Sequence, residues 1–476
     1  MIIPNKNFWG LADVFRIYGS AWPRSFIMAL FGALLTLLID LTADHGTARR
    51  WFSGFIVGGR GPTPLPFQLF AFIVGFGLVF RSTFAYRRYW EARTMLQSMT
   101  ALFTEMVVQT INFDLGTLPK DATADQLQKA HDFGELFIHL MSLLHAAALA
   151  NLRLDWDLRN LQAHDGVADP PPMDASELRR IESKRRYKES QEKIQSRRAL
   201  KLRKTYRAHH FKGKFKVRDF FLLRAKTSIR LAYNELMPIG VVGGLSEEER
   251  RALGSERDEE AKQLNVTKGT RLTTGYIVPG AGERTSIVAN WVNQAILERR
   301  REGGLAVPPP IMTRVYGVLS GGFLAFEQCR KIADTPFPFP VSQLVSGVLL
   351  MFALGLPFVV AASIKTTWLA CLITFISTWT HYGLNELARD LEDPFLYDPN
   401  DLPLARIQYN FNERILAIAR TKRPNSKLEL GVARVRSLVR DQPAAQSIDP
   451  VLGGGATETI LEEVLGIELS PASNEP

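Results

Sequence analysis

Three stretches of this chain are long enough to cross a bilayer and carry no charged side chain. Gly61–Phe80 ends at Arg81, Pro340–Ile364 ends at Lys365, and no further charge follows Lys365 until Glu386. A membrane-spanning helix needs about 20 consecutive, predominantly apolar residues. The whole-chain average conceals these stretches, because 22% of the 476 residues are charged. The uneven distribution predicts an integral membrane protein that crosses the membrane several times.

A fourth apolar stretch, Phe26–Ile39, is shorter than the other three. Its length also suits the core of a signal peptide or an amphipathic helix in a protein core. We expect a membrane span, because no clear small-residue cleavage site follows it. Aromatic and basic residues within 1–25 suit a chain that lies along lipid headgroups. The distribution of Lys and Arg then predicts that residues 82–338 and both termini are cytosolic.

Residues 83–335 carry the apolar spacing of helices that face water on one side. Apolar side chains recur at helical intervals from Met99 to Val107 and again from Leu136 to Leu144. The sequence contains no strong alternating pattern typical of strands. We therefore expect a cytosolic helical bundle that continues the membrane helices, with an insertion at residues 155–285.

The insertion contains a strongly basic segment. Residues 179–230 hold 20 Lys and Arg against four Asp and Glu. Such a segment suits attraction to anionic lipid, a nucleic-acid or localisation signal, or a solvated insertion. We expect membrane lipids but not nucleic acid as partners. The two cysteines, Cys329 and Cys371, give neither a disulfide framework nor metal-ligand spacing.

Three ordered motifs resemble the bestrophin and bestrophin-like channel family. The first is Leu65-Pro66-Phe67, followed across the span by the segment Phe80–Arg93. The second is Thr335–Phe339, and the third is Glu386–Leu404 with its Leu391–Phe395 and Asn400–Leu404 runs. The resemblance covers residues 1–150 and 286–420. It implies an all-α integral membrane protein with four transmembrane helices per subunit, a cytosolic helical bundle, and a homopentamer around a central pore.

The resemblance also implies that the second membrane helix lines a narrow neck, whose three apolar positions fall on Leu65, Leu69 and Ile73. A spacing of four residues keeps these side chains on one face of a helix. Apolar constrictions stop ions by dewetting, so we expect these residues to form the neck and gate. Ordinary helix packing is the alternative explanation of the stripe.

Phe72, Phe76 and Phe80 form a second stripe at the same spacing, and we expect them to back the neck. Arg81 follows directly and is expected to attract anions toward the neck. Animal members of the family carry Phe at two neck levels, where ring edges favour anions. This chain has aliphatic side chains there, which leaves a cation-selective channel as an alternative.

An acidic cluster follows the fourth span. Dense carboxylates suit calcium, and animal members of the family bind calcium in a clasp at the corresponding place. By that resemblance Asp398 and Asp401 take the clasp carboxylate positions, and Asp393 stands where those members have an amide. The alternative is a structural role, in which the carboxylates form ion pairs with Arg81, Arg87 and Arg93.

The resemblance implies a channel that passes chloride and other small anions by passive diffusion, with no required cofactor and with calcium as an optional ligand. A non-conducting membrane scaffold or lipid-binding protein is a further alternative. No enzyme is expected, because no phosphate-binding glycine loop or nucleophile elbow occurs in its required context. The predicted divisions are 1–82 and 336–388 for pairs of membrane helices, 83–335 for the cytosolic region, 389–430 for the acidic motif and a helix, and 431–476 for a disordered tail.

Overall fold

Nine α-helices of at least seven residues account for most of the residues that the computed structural model describes, which are 20–42, 65–119, 121–164, 233–254, 281–396 and 400–420. In chain order they are α1 (Trp22–Thr42), α2 (Leu65–Gly116), α3 (Ala124–Leu152), α4 (Glu247–Leu253), α5 (Ala281–Arg301), α6 (Pro309–Asp334), α7 (Phe339–Ser363), α8 (Thr367–Glu392) and α9 (Leu404–Arg420). Two short strands, β1 (Leu161–Ala163) and β2 (Ile239–Val241), lie between α3 and α4. The mostly helical architecture is therefore as predicted. The basic segment 179–230 and the tail 431–476 lie outside the described residues.

Four described helices are long and apolar enough to cross a membrane, namely α1, α2, α3 and α7. Three of them contain predicted spans, whereas α3 was not expected among them. The most apolar part of α3 is 72% buried within the chain, against 22% for α1 and α2. A helix that faces lipid keeps an exposed apolar surface, so this burial is typical of a core helix rather than a span. The fourth predicted span lies in α8, where Thr, Trp and His side chains lower the hydropathy although no charge occurs before Glu386.

Helices α1 and α8 pack side by side and are joined by polar contacts at two levels. Thr36 Oγ1 donates a buried hydrogen bond to Thr374 Oγ1 at 3.0 Å. Near the start of α1, Arg24 Nη1 lies 2.6 Å from Asp390 Oδ1. Gly32 allows close approach, because a Cβ there would lie 3.2 Å from a hydroxyl of α8. Small and hydroxyl-bearing residues are the usual means by which helices associate in lipid.

The core of the bundle is built by the second half of α2 together with α3, α5 and α6. Leu96, Met99, Phe103 and Met106 of α2 are completely buried in it. Helix α3 begins with a capping box at Thr123, which satisfies amide groups that the first turn leaves free. The single helix α2 therefore connects the apolar layer to the bundle.

The strands β1 and β2 correct the prediction that the region contains no strand. They pair in parallel, with Leu161 opposite Ile239 and Ala163 opposite Val241. Each strand has three residues, which is too short for an alternating pattern to be visible in the sequence. Both strands lie within the predicted insertion, and Ile239 and Val241 are fully buried. The described flanks of the insertion are thus part of the bundle core.

Candidate functional site

The three predicted neck residues lie on one exposed face of α2. Leu65, Leu69 and Ile73 are 60%, 60% and 62% exposed within one subunit. Helix α2 runs without interruption for 52 residues, so positions four apart stay close to one face. The stripe is therefore not covered by the subunit's own helices.

The aromatic stripe shares this surface. Phe72, Phe76 and Phe80 are between 53% and 72% exposed, and the rings of Phe76 and Phe80 stack with centroids 6.2 Å apart. Within one subunit these rings lie beside the aliphatic stripe rather than behind it. Which of the two stripes lines a pore stays a prediction. We call the surface formed by these six residues, Leu65, Leu69, Phe72, Ile73, Phe76 and Phe80, the open face of α2.

The opposite side of α2 packs against α7 and α8. Val74 and Leu78 are 1% and 0% exposed and contact Leu349 and Phe352 of α7 in an apolar cluster. No hydrogen bond or ion pair joins 65–80 to another helix within the described part of the chain. We call the surface formed by Val74, Leu78, Arg81, Ala85 and Tyr89 the packed face of α2.

Arg81 lies on the packed face and is only 1% exposed. Its Nε and Nη2 donate to Glu392 Oε1 at 2.9 and 2.7 Å, and its Nη1 donates to Asn385 Oδ1 at 2.7 Å. A third contact runs from Nη2 to Ser342 Oγ at 3.2 Å, and the guanidinium carbon lies 5.5 Å from the centroid of the Phe337 ring. The expectation that Arg81 attracts anions toward the neck is therefore wrong, because Glu392 neutralises a buried charge. The structural alternative, an ion pair between the acidic cluster and Arg81, is what the chain adopts.

The other two arginines proposed as partners of the acidic cluster behave differently. Arg93 Nη1 donates to Gln97 Oε1 at 3.0 Å on its own helix. Arg87 is exposed, and it makes no hydrogen bond or ion pair to the acidic residues that the structure describes. Only Arg81 of the three is held by the cluster within these ranges.

The loop after α8 folds back and rests on α2. The amide of Leu402 donates to the carbonyl of Pro394 at 2.8 Å, which closes the loop. The Tyr89 hydroxyl, on the packed face, donates to the carbonyl of Asn400 at 3.1 Å. Helix α2 therefore contacts the acidic segment twice, through Arg81 and through Tyr89.

The predicted calcium ligands are only partly visible. Asp393 caps the end of α8, Asp401 is 4% exposed, and Asp398 lies outside the described residues. Among the described side chains, no group of three or more His, Cys, Asp or Glu is arranged to hold a metal ion. The pairing of Asp398 with Asp401 around calcium stays a prediction.

Two of the partners of Arg81 were missed from the sequence. Ser342 lies in the first turn of α7, and Asn385 lies in α8 just before Glu386. Each is a small polar residue at the end of a long apolar stretch. That position is the signal that pointed to them, because a buried arginine needs several acceptors close to where an apolar segment ends.

A second buried polar network holds α9, the helix that follows the acidic loop. His145 of α3 is completely buried, with Nδ1 bonded to Gln408 Oε1 and Nε2 3.1 Å from Thr100 Oγ1 of α2. Gln408 Nε2 in turn donates to Asn412 Oδ1 at 2.9 Å. Burial lowers the pKa of His145 to about 4, so its imidazole is neutral near pH 7. The network fixes both α2 and α9 to the bundle core.

Comparison with known proteins identifies one family. A family model described as bacterial and fungal bestrophin protein matches residues 1–217 and 257–417. Among curated proteins, the chain is 35% identical over 96 residues to a voltage-dependent anion channel-forming protein of Nostoc sp., covering 20% of this chain and 31% of that protein. It is 38% identical over 107 residues to one of Mesorhizobium japonicum, covering 22% and 33%.

The matched part of the chain thus spans about a third of these curated relatives. Among solved structures, a bacterial bestrophin homologue of Klebsiella pneumoniae aligns over 83% of this chain and 99% of its own, with a TM-score of 0.47 and 16% identity.

Proposed function

This chain belongs to the bacterial and fungal bestrophin family, and we propose from that membership that it is a channel for chloride and other small anions. Transport is passive, down the electrochemical gradient. The names of the relatives from Nostoc and Mesorhizobium, which describe voltage-dependent anion channel formation, support the choice of anions. The chain is a multi-pass integral membrane protein.

The observation that carries the proposal is the open face of α2. Its six large apolar side chains are 53–72% exposed within one subunit. Exposed apolar patches of this kind mark surfaces that meet lipid, another subunit or a constriction. A face of this length on the helix that also enters the bundle suits a pore-lining helix better than a lipid-facing one.

We propose that five copies assemble with their open faces toward one axis. Rings of Leu65, Leu69 and Ile73 then form an apolar neck. Such a constriction excludes water and ions when narrow, and it conducts when helix or side-chain movement widens it. The aliphatic side chains carry no charge, so the neck acts as a gate and other residues must favour anions.

The proposed topology places α1, the first half of α2, α7 and α8 in the membrane, with α3 in the cytosolic bundle. The burial of α3 and the exposed apolar surfaces of α1, α7 and α8 support this assignment. Exposed leucines and aromatic residues of these helices then meet lipid. Both termini lie in the cytosol.

Calcium is proposed as an optional regulator, bound by Asp398 and Asp401 at the loop that rests on α2. Carboxylate oxygens are the ligands that calcium prefers. If the site regulates gating, Asp398→Ala with Asp401→Ala removes any difference between currents recorded with calcium and with a chelator. Equal wild-type currents in both solutions make the two residues structural.

The test of the proposed function is chloride efflux from liposomes that contain the purified protein. We expect efflux well above that from empty liposomes, and a detergent-solubilised mass that corresponds to five subunits. Absence of efflux from correctly assembled protein favours the non-conducting scaffold.

A further inference from the structure

Four arginines follow the apolar segment of α2, and three of them are held within the subunit. Arg81 is buried against Glu392, and Arg93 donates to Gln97. Arg88 Nη2 donates to backbone carbonyls at and just beyond the end of α6, those of Ile332 and Thr335. The positive charges of these three side chains are therefore directed into the protein or toward a fixed neighbour.

Arg87 differs from the other three. It is exposed, and across the described ranges no hydrogen bond or ion pair involves its side chain. It lies 18 residues after Leu69, which is five full turns at 3.6 residues per turn. Arg87 therefore lies on the same side of the continuous helix as the open face, whereas Arg81 lies on the packed face.

The position along the axis is equally specific. Arg87 is 14 residues beyond Ile73, which is about 21 Å at 1.5 Å per residue. One turn further, Glu91 also lies near this side, but its carboxylate is 2.9 Å from Lys331 Nζ. The first charged side chain below the neck residues on the open side of α2 is thus an arginine whose charge has no opposing partner in the described subunit.

We propose that Arg87 is a specificity-determining residue of this channel. In the assembly, one guanidinium from each copy forms a ring below the neck, and the ring raises the local concentration of anions. This inference rests on the proposed function and deepens it, because it supplies the positive charge that the aliphatic neck lacks. The class of ligand is a small monovalent anion attracted by long-range charge rather than bound tightly.

The test compares Arg87→Gln with Arg93→Gln in planar bilayers under a KCl gradient. Arg93 is the matched control, since it lies on the same helix, pointing away from the open face, and has the same charge. We expect Arg87→Gln to lower the chloride-to-potassium permeability ratio and to reduce the chloride conductance by roughly tenfold at low salt. The difference in conductance disappears near 1 M KCl, where the Debye length falls to about 3 Å. Arg93→Gln retains the wild-type ratio.

A ratio for Arg87→Gln equal to that of wild type and of Arg93→Gln overturns the proposal while leaving the channel function intact. A silent wild type instead overturns the channel function. In that case Arg87→Cys, in protein lacking Cys329 and Cys371, still tests the position through its reaction with a charged, water-soluble thiosulfonate reagent. Rapid modification supports a water-filled path at this residue, and no modification contradicts it.

Discussion

The two faces of helix α2 carry similar apolar residues in opposite settings. On the packed face, Val74 and Leu78 are buried against α7, and Arg81 is enclosed by hydrogen bonds. On the open face, Leu69 and Phe76 are 60% and 64% exposed. The packed face fixes the helix to the subunit, and the open face remains available to the pore. Residue type does not separate these roles, whereas position around the helix does.

The same division explains why two arginines six residues apart have different expected roles. Arg81 is neutralised and holds α2 to α7 and α8, whereas Arg87 presents its charge to solvent. Substitutions on the packed face should therefore reduce stability. Substitutions on the open face should change conduction and leave stability nearly intact.

The largest effect is expected for Arg81→Ala. Removing one partner of a buried ion pair leaves Glu392 without its positive charge, and such losses cost about 3–5 kcal/mol. The measurement is the midpoint of thermal unfolding in detergent. Arg93→Ala is the control, because its partial exposure predicts a change within about 0.5 kcal/mol. Equal midpoints for the two variants contradict the role of the packed face.

Acid is expected to weaken the lower part of the packed side through His145, which contacts Thr100 of α2. Its pKa is lowered from 6.5 to about 4 by burial, so the unfolded chain binds a proton more readily than the folded one. Stability should fall as the pH drops from about 6.5 to about 4, by on the order of 3 kcal/mol in total. Unfolding midpoints measured across this window should depend less on pH after His145→Asn. An unchanged dependence shows that another group is responsible.

The smallest effect on stability is expected on the open face. Replacing Leu65, Leu69 and Ile73 together with Ala should change the unfolding free energy by no more than about 0.5 kcal/mol per site, because these side chains are exposed in the subunit. The same change widens the neck and should raise the open probability in single-channel recordings. Wild-type open probability in the triple variant removes these residues from the gate.

Much of the membrane layer follows from sequence alone, because charge-free stretches of bilayer length leave few alternatives. The helical period of the apolar residues also predicted the bundle core around Met99 and Phe103, both fully buried. The paired strands β1 and β2 were not predicted, since three residues give no periodic signal.

The candidate site was predicted less completely. The spacing of Leu65, Leu69 and Ile73 places them on one face, but it does not reveal which face the subunit covers. Arg81 was assigned to the pore because it is the first charge after the span, whereas the rotation of the helix turns it inward. Arg87 was considered only as a partner of the acidic cluster, since its relation to the open face emerges when α2 is known to be unbroken through both positions.

The most direct test of the central claim is the reversal potential of the purified protein in a planar bilayer under a KCl gradient. Selective passage of anions places the reversal potential near the chloride equilibrium potential. A reversal near the potassium equilibrium potential identifies a cation-selective channel and contradicts the assignment.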